Sequence, residues 1–161
     1  MLIGGVCAVT QAAEVVRTAL PDGNTFPISA AVTVPAGFDT VYVSGALASI
    51  INKDAPKGSV EAYGDMTTQA TSALTSIKAS LAKLGLGMGD VVKMTVFMVG
   101  DSTNGNKLDF AGLMAAYTKF FGTAEQPNKP ARSAFQVAAL VAPGALVEIE
   151  VIAVKRHKSA H

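Results

Sequence analysis

The sequence predicts one α+β domain, in which a single mixed sheet packs two helices against one of its faces. Two observations predict this class. Short apolar runs typical of strands occur in both halves of the chain, and two longer stretches repeat apolar residues at three- and four-residue steps, as amphipathic helices do. The predicted order is three strands, helix, strand, helix and two strands. At 161 residues, the chain is long enough to bury the core of one domain without disulfides or a metal.

Three short strands are predicted ahead of the first helix, at residues 15–20, 28–37 and 39–48. The turn sequence PDGN separates the first strand from the second. In the third strand, Tyr42 faces the side opposite to its two valine neighbours. The polar residues 50–60 then form a loop.

Two amphipathic helices are predicted. The first begins at Asp65, a good N-cap residue, and ends at Leu84 ahead of Gly85. Its apolar stripe consists of Met66, Ala70, Ala73, Leu74, Ile77, Leu81 and Leu84. The second begins at Phe110 and is closed by Gly122. Its stripe consists of Phe110, Leu113, Met114, Tyr117, Phe120 and Phe121.

The remaining strands are predicted at residues 90–99, 133–140 and 145–156. The run at 90–99 is apolar at almost every position, as in a strand buried on both faces. Charged residues make up 16% of the chain, so the sheet face without helices has few charges to offer to water. Cover by other copies of the chain is the simplest solution.

The composition disfavours several classes of function. With 13 basic and 12 acidic residues, the net charge of +1 does not indicate a nucleic-acid-binding surface. Cys7 is the one cysteine, which excludes an intrachain disulfide and a thiolate metal cluster. The two histidines, His157 and His161, lie near the C-terminus, so neither a histidine-based catalytic triad nor a histidine zinc site is expected inside the fold.

Residues 1–13 form an apolar segment that is interpreted either as the remnant of a secretory signal or as an edge strand. Residues 14–161 are expected to form the single domain. The expected location is the cytoplasm, or the periplasm if the segment is a signal remnant. No apolar run reaches the roughly 18–20 residues that a membrane-spanning helix needs.

The candidate functional residues lie in the last two predicted strands. Glu148 and Glu150 are two residues apart and therefore point to the same face of a strand. They form either a solvated face or a carboxylate site that activates water. Arg132, just ahead of an alternating run, forms either a structural ion pair or a clamp for a ligand carboxylate, which its planar fork binds bidentately.

Six motifs occur in an order that resembles the reactive-intermediate deaminase family, also called the RidA, YjgF or endoribonuclease L-PSP-like family. They are FPISAAV (26–32), VYVSG (41–45), GDVVKMTVFMV (89–99), YTKFFG (117–122), PARSAFQV (130–137) and VEIEVIAVKR (147–156). The resemblance covers residues 14–156. It implies a chorismate-mutase-like fold that forms a homotrimer, with a central barrel of sheets, helices outside and three clefts between subunits.

The resemblance also implies an activity, the hydrolysis of 2-imino or 2-enamino acids to 2-keto acids and ammonia without a metal or organic cofactor. By this resemblance, Arg132 clamps the carboxylate of a small-molecule substrate and Glu148 positions the attacking water. Ser133 and Ala134 line the same cleft through their backbones. Arg132 is expected at a subunit boundary, near Glu148. Further candidates for the cleft lining are Ile28, Tyr42, Ser44, Phe26 and Phe110.

Three positions depart from the family pattern. Ile28 stands where a tyrosine is common, Ala46 where a glutamine is frequent and Ala134 where a cysteine is often found. These changes make the cleft more apolar and leave an alternative open, a non-catalytic trimer that binds small carboxylates or 2-keto acids or acts as a holdase-like protein. Ribonuclease activity is disfavoured, since RNA affinity requires a basic surface.

Overall fold

The computed structural model describes residues 13–157. The six strands are β1 (Val16–Thr18), β2 (Ala31–Thr33), β3 (Phe38–Leu47), β4 (Val91–Met98), β5 (Ala131–Gln136) and β6 (Val147–Arg156). The three helices are α1 (Val60–Tyr63), α2 (Met66–Lys83) and α3 (Phe110–Tyr117). Two short 3-10 turns lie at Met88–Asp90 and Ser102–Asn104. The segment predicted as a signal remnant or edge strand lies, apart from Ala13, outside the described residues.

Four strands form the main sheet in the order β3-β6-β4-β5. β6 runs antiparallel to both of its neighbours, whereas β4 and β5 run parallel, so the sheet is mixed. The predicted class, a mixed sheet with two main helices, is confirmed. β5 begins at Ala131, two residues earlier than predicted, because its pairing with β4 starts there. Arg132 therefore lies within a strand rather than ahead of one.

The first two strands do not join this sheet. β1 and β2 pair with each other as an antiparallel hairpin. The second strand, predicted over 28–37, is confined to Ala31–Thr33. Pro35 shortly after β2 lacks the N–H that a ladder needs, and Gly37 adopts a φ of 90°, which turns the chain toward β3.

The helices pack on one face of the main sheet. Alternate residues of β4 and β6 point toward α2 and α3 and are almost completely buried there. The prediction that the β4 run is buried on both faces is wrong for the single chain, because Lys93, Thr95 and Phe97 on the other face are half-buried. We call that second side of the sheet the open face. The largest buried side chains are Tyr117, Phe121, Met66, Leu74, Ile77, Leu81, Met94, Met98, Leu113, Leu146, Ile149 and Gln69.

The ends of the helices are set by local chemistry. Asp65 caps α2 as predicted, since its carboxylate accepts a hydrogen bond of 2.8 Å from the amide of Thr68. α3 ends at Tyr117, earlier than predicted, because residues 118–121 continue as tight turns. Gly122 follows with a φ of 73°, a conformation that favours glycine. No helix within residues 13–157 is long and apolar enough to cross a bilayer.

A buried glutamine fixes the start of β6. Gln69 of α2 donates from Nε2 to the carbonyls of Gly64 (2.8 Å) and Gly144 (3.1 Å). Its Oε1 accepts from the amide of Leu146 at 2.8 Å. Because a buried amide with its partners in place resists displacement, Gln69 holds the chain two residues ahead of Glu148.

Candidate active site

Arg132 leaves the sheet on the side of the helices. It pairs in register with Met94, a fully buried residue of that face. Its guanidinium lies over three aromatic rings, with 4.4 Å from Cζ to the ring centroid of Tyr117, 5.4 Å to that of Phe26 and 5.6 Å to that of Phe110. The result is a half-buried cation surrounded by the faces of aromatic rings.

The guanidinium of Arg132 has a weak hydrogen-bond partner. Among residues 13–157, Nη1 donates to the thioether sulfur of Met114 at 3.2 Å, and no carboxylate lies within ion-pair distance. Burial lowers the pKa of Arg132, although a guanidinium keeps its charge in proteins. A thioether accepts weakly, so most of the N–H donors of this cation remain free for an anion.

The ring of Tyr117 lies against the Arg132 guanidinium and is itself held in place by two contacts. Its hydroxyl donates to the carbonyl of Pro27 at 2.8 Å, and its ring stacks on Phe121 with 4.9 Å between centroids. Burial raises the pKa of Tyr117 to about 12, against the opposing positive charges of Arg132 and Arg17. Tyr117 is therefore neutral at physiological pH, and its ring forms a fixed platform for Arg132.

Arg17 and Ser29 tie down the segment just ahead of Arg132. Ser29 Oγ donates to the carbonyl of Lys129 at 2.6 Å, and the Ser29 amide donates to that of Pro130 at 3.0 Å. Arg17 also donates to the Lys129 carbonyl, at 3.1 Å. Sequence reasoning missed both residues, because their side chains bind a main-chain carbonyl at least 100 positions away.

Glu148 lies on the open face. It pairs in register with Phe97, whereas its neighbours Val147 and Ile149 are buried under the helices. Its carboxylate lies against Gly45, at a bulge in β3 between Val43 and Ala46. A side-chain carbon at position 45 would overlap that carboxylate. Gly45 therefore provides the room in which the Glu148 carboxylate rests.

The structure separates the other predicted site residues into two groups. Tyr42 and Ser44 line a pocket of about 350 Å³ with Glu150, not with Glu148. Ser133 faces the open side, where its hydroxyl accepts a hydrogen bond of 3.0 Å from Lys93 Nζ.

Ala134 and Ile28, by contrast, pack against the buried core on the Arg132 side. Within one chain, Arg132 and Glu148 thus leave opposite faces of the sheet. That the two share a site at a subunit boundary stays a prediction, and such a site takes one residue from each of two copies.

The electrostatic character of the two faces differs. The helix face presents a cation among rings, and the open face presents the carboxylates of Glu148 and Glu150. Within residues 13–157, no group of three or more His, Cys, Asp and Glu side chains is arranged to hold a metal ion.

Comparisons with known proteins point to one family. The family model described as Endoribonuclease L-PSP matches residues 25–155. A RutC family protein of Haemophilus influenzae is 43% identical over 96 residues, which are 60% of this chain and 68% of that protein. The 2-iminobutanoate/2-iminopropanoate deaminase of Escherichia coli K12 is 42% identical over 60% of this chain and 69% of its own length.

A solved structure extends the likeness to the fold. The crystal structure of E. coli TdcF with bound serine superposes with a TM-score of 0.55 at 33% identity, over 76% of this chain and 84% of that one.

Proposed function

Since the chain belongs to the Endoribonuclease L-PSP family, we propose that it hydrolyses 2-imino or 2-enamino acids to 2-keto acids and ammonia. The observation that carries this proposal is the guanidinium of Arg132, half-buried and held over three rings with a thioether as its hydrogen-bond partner. A buried cation with free donors is a ready receptor for a carboxylate. The curated relatives named deaminases support the same reaction class.

Arg132 binds the substrate through the edge of its guanidinium. Its Cζ lies 4.4 Å from the ring centroid of Tyr117, and one N–H of Nη1 is used by the sulfur of Met114, which leaves further N–H groups for a carboxylate. A carboxylate accepts two of these in parallel, which fixes both its position and its orientation. The low dielectric around the rings strengthens the contact, and positioning of the bound imine is worth several kcal/mol of barrier.

The reaction itself needs water and a proton acceptor. The imine carbon, electrophilic once its nitrogen is protonated, gains a bond to the oxygen of water, while the C=N pair of electrons moves to nitrogen. Loss of ammonia from the resulting carbinolamine leaves the carbonyl of the 2-keto acid, so that imino acid plus water becomes keto acid plus ammonia. Glu148 orients the water and accepts its proton, a role that typically accelerates a reaction by about 10²–10⁴-fold.

The assembly that joins the two residues is a homotrimer with its clefts between subunits. Arg132 and Glu148 leave opposite faces of the sheet of one chain, so the arginine of one copy meets the glutamate of the next. Two features support association of the sheets. β5 lies at the edge of the main sheet, where it offers unpaired main-chain groups. Tyr42 and Phe135, 78% and 44% exposed, present rings on the open face.

The test is ammonia release in a coupled assay, in which an amino-acid oxidase generates imines from a panel of amino acids. We expect the wild type to accelerate ammonia release and Arg132→Ala to lose the acceleration. Arg156→Ala is the matched control, since this exposed arginine also lies over one ring, that of Phe38, at 4.6 Å. Equal rates in wild type and Arg132→Ala, at equal oligomeric state, would contradict the proposal.

A second candidate, carboxylate binding without turnover, is favoured by Ile28. This side chain packs against the core and provides no hydroxyl to a substrate. Calorimetry with 2-keto acids separates the two candidates: binding that Arg132→Ala abolishes, combined with no acceleration for any imine of the panel, selects the binding protein. Acceleration for any imine selects the enzyme.

A further inference from the structure

The three aromatic rings around Arg132 bear on which side chain the substrate has. We propose that this site selects carboxylates that bear an aromatic substituent, so that the favoured imines are those of aromatic 2-amino acids. This inference rests on the proposed function, because it assumes that Arg132 binds the carboxylate. It adds the class of side chain that the bound acid carries.

Two rings form the rim of the site. Phe26 and Phe110 stack with 6.2 Å between centroids and an angle of 14° between planes, and both lie within 5.6 Å of the Arg132 guanidinium. Phe110 remains 38% exposed. An exposed ring beside a cation offers a surface on which a further ring stacks, and aromatic pairs gain more than the area they bury.

The main chain that carries both rings is held by hydrogen bonds. The amide of Phe26 donates to Asn24 Oδ1 at 2.9 Å, and the next residue, Pro27, accepts the hydroxyl of Tyr117. Phe110 is the first residue of α3, directly after Asp109, which caps the helix by accepting from the amide of Gly112 at 2.8 Å. Since each ring is carried by an anchored main chain and packs against the other ring, little backbone freedom is lost when a ligand binds against them.

The same surroundings disfavour a second charge on the ligand. The groups in contact with the guanidinium are three rings and the sulfur of Met114. None of these can pair with another carboxylate, which would therefore lose its hydration without compensation. A small aliphatic acid avoids that cost but leaves the rim without a partner. The expected order of affinity is therefore aromatic, then small aliphatic, then dicarboxylic acid.

The experiment measures the dissociation constants of three 2-keto acids, the class of the reaction product, by calorimetry on the intact chain. The acids are phenylpyruvate, 2-oxobutanoate and 2-oxoglutarate. We expect phenylpyruvate to bind about tenfold more tightly than 2-oxobutanoate, and 2-oxoglutarate to bind most weakly. In the double variant Phe26→Leu/Phe110→Leu, the ratio between the dissociation constants of 2-oxobutanoate and phenylpyruvate should fall to about one, whatever the change in overall affinity. Phe38→Leu, which removes the ring under Arg156, should keep the wild-type order.

The outcomes separate the aromatic preference from the binding of the carboxylate by Arg132. If the three acids bind equally and Arg132→Ala abolishes all binding, the aromatic preference is wrong and the carboxylate clamp stands. If none of the acids binds to the wild type, both are wrong. A preference for phenylpyruvate that survives in the double variant assigns it to other residues and overturns the inference. The wild-type order alone tests the preference if the double variant fails to fold.

Discussion

Two half-buried arginines act electrostatically on Tyr117, and their surroundings differ. Arg17 donates to three main-chain carbonyls, those of Gly89 at 2.7 Å and of Val91 and Lys129 at 3.1 Å. Arg132 donates to one thioether and otherwise faces rings. Burial lowers the pKa of both, so neither burial nor that shift distinguishes them.

The distribution of hydrogen-bond partners does distinguish them. The donors of Arg17 are used inside the protein, where they join the hairpin to the start of β4 with its preceding turn and to the loop ahead of β5. The donors of Arg132 are available to a ligand. A partly buried arginine is thus a structural group when main-chain carbonyls surround it, and a receptor for an anion when apolar groups do. The same substitution at both positions tests this difference.

The largest effect is expected on ligand affinity at Arg132. Arg132→Met should weaken the binding of a 2-keto acid at least about 100-fold, or about 3 kcal/mol, because a bidentate charged contact is lost. Its free energy of unfolding should stay within about 1 kcal/mol of the wild type, since replacing a buried charge by an apolar group is often neutral. Calorimetry and urea denaturation measure the two quantities. A large loss of stability with unchanged affinity would reverse the assignment of the two arginines.

The reverse pattern is expected at Arg17. Arg17→Met leaves the carbonyls of Gly89, Val91 and Lys129 without their partner, which should lower the free energy of unfolding by about 2–3 kcal/mol. Denaturation at one fixed protein concentration measures this, because the stability of an oligomer depends on concentration. A change below about 0.5 kcal/mol would show that Arg17 is not the structural arginine of the pair.

A smaller effect, and a dependence on pH, is expected at Tyr117, whose hydroxyl is influenced by the charges of both arginines. Its pKa in the folded state is raised to about 12, above the ordinary value of 10. The folded state therefore holds this proton more tightly, so the stabilisation is complete below pH 10 and is lost as the pH rises toward 12.

Tyr117→Phe removes that titration and keeps the ring. Between pH 10 and 12, the wild type should lose about 2 kcal/mol more of its unfolding free energy than Tyr117→Phe does. Denaturation series at several pH values measure the difference. Parallel curves for the two proteins would show that the folded state does not hold the Tyr117 proton more tightly than the unfolded chain does.

The smallest effect is expected on the open face. Gly45→Ala places a carbon where the Glu148 carboxylate lies, and the flexible side chain must move aside. If Glu148 orients the water, kcat should fall about tenfold while 2-keto acid affinity at Arg132 is retained, because small misplacements of a catalytic group are costly. Steady-state kinetics and calorimetry on the same preparation measure both quantities. A loss of affinity at unchanged kcat would contradict the division of roles between the two faces.

Several features of the molecule follow from local patterns in the sequence. The spacing of Met66, Ala70, Leu74 and Ile77 predicts α2, and the Asp65 cap is where expected. Alternation within β6 places Val147 and Ile149 opposite Glu148, as observed. Such patterns are predictable because a helix or a strand presents its own residues at a fixed period.

Other features depend on contacts between distant segments. The sequence predicts a single sheet, whereas β1 and β2 pair only with each other. Strand pairing depends on contacts between distant segments, so local patterns do not predict it. The rings of Phe26 and Phe110, far apart in the chain, meet beside Arg132 only after α3 packs on the sheet. The carbonyls to which Arg17 donates cannot be predicted from the sequence, since every residue carries a main-chain carbonyl.

By itself, the sequence determined the elements, the chemical groups available and the family, because periodicity, capping and motif order are local properties of the chain. The tertiary structure decided which face each functional side chain uses. Arg132 pairs with Met94 and Glu148 with Phe97, two positions of β4 that are three residues apart and therefore point to opposite faces. The physical reason is that alternation fixes faces within one strand, whereas the relation between two strands depends on their register, and a shift of one residue exchanges the faces.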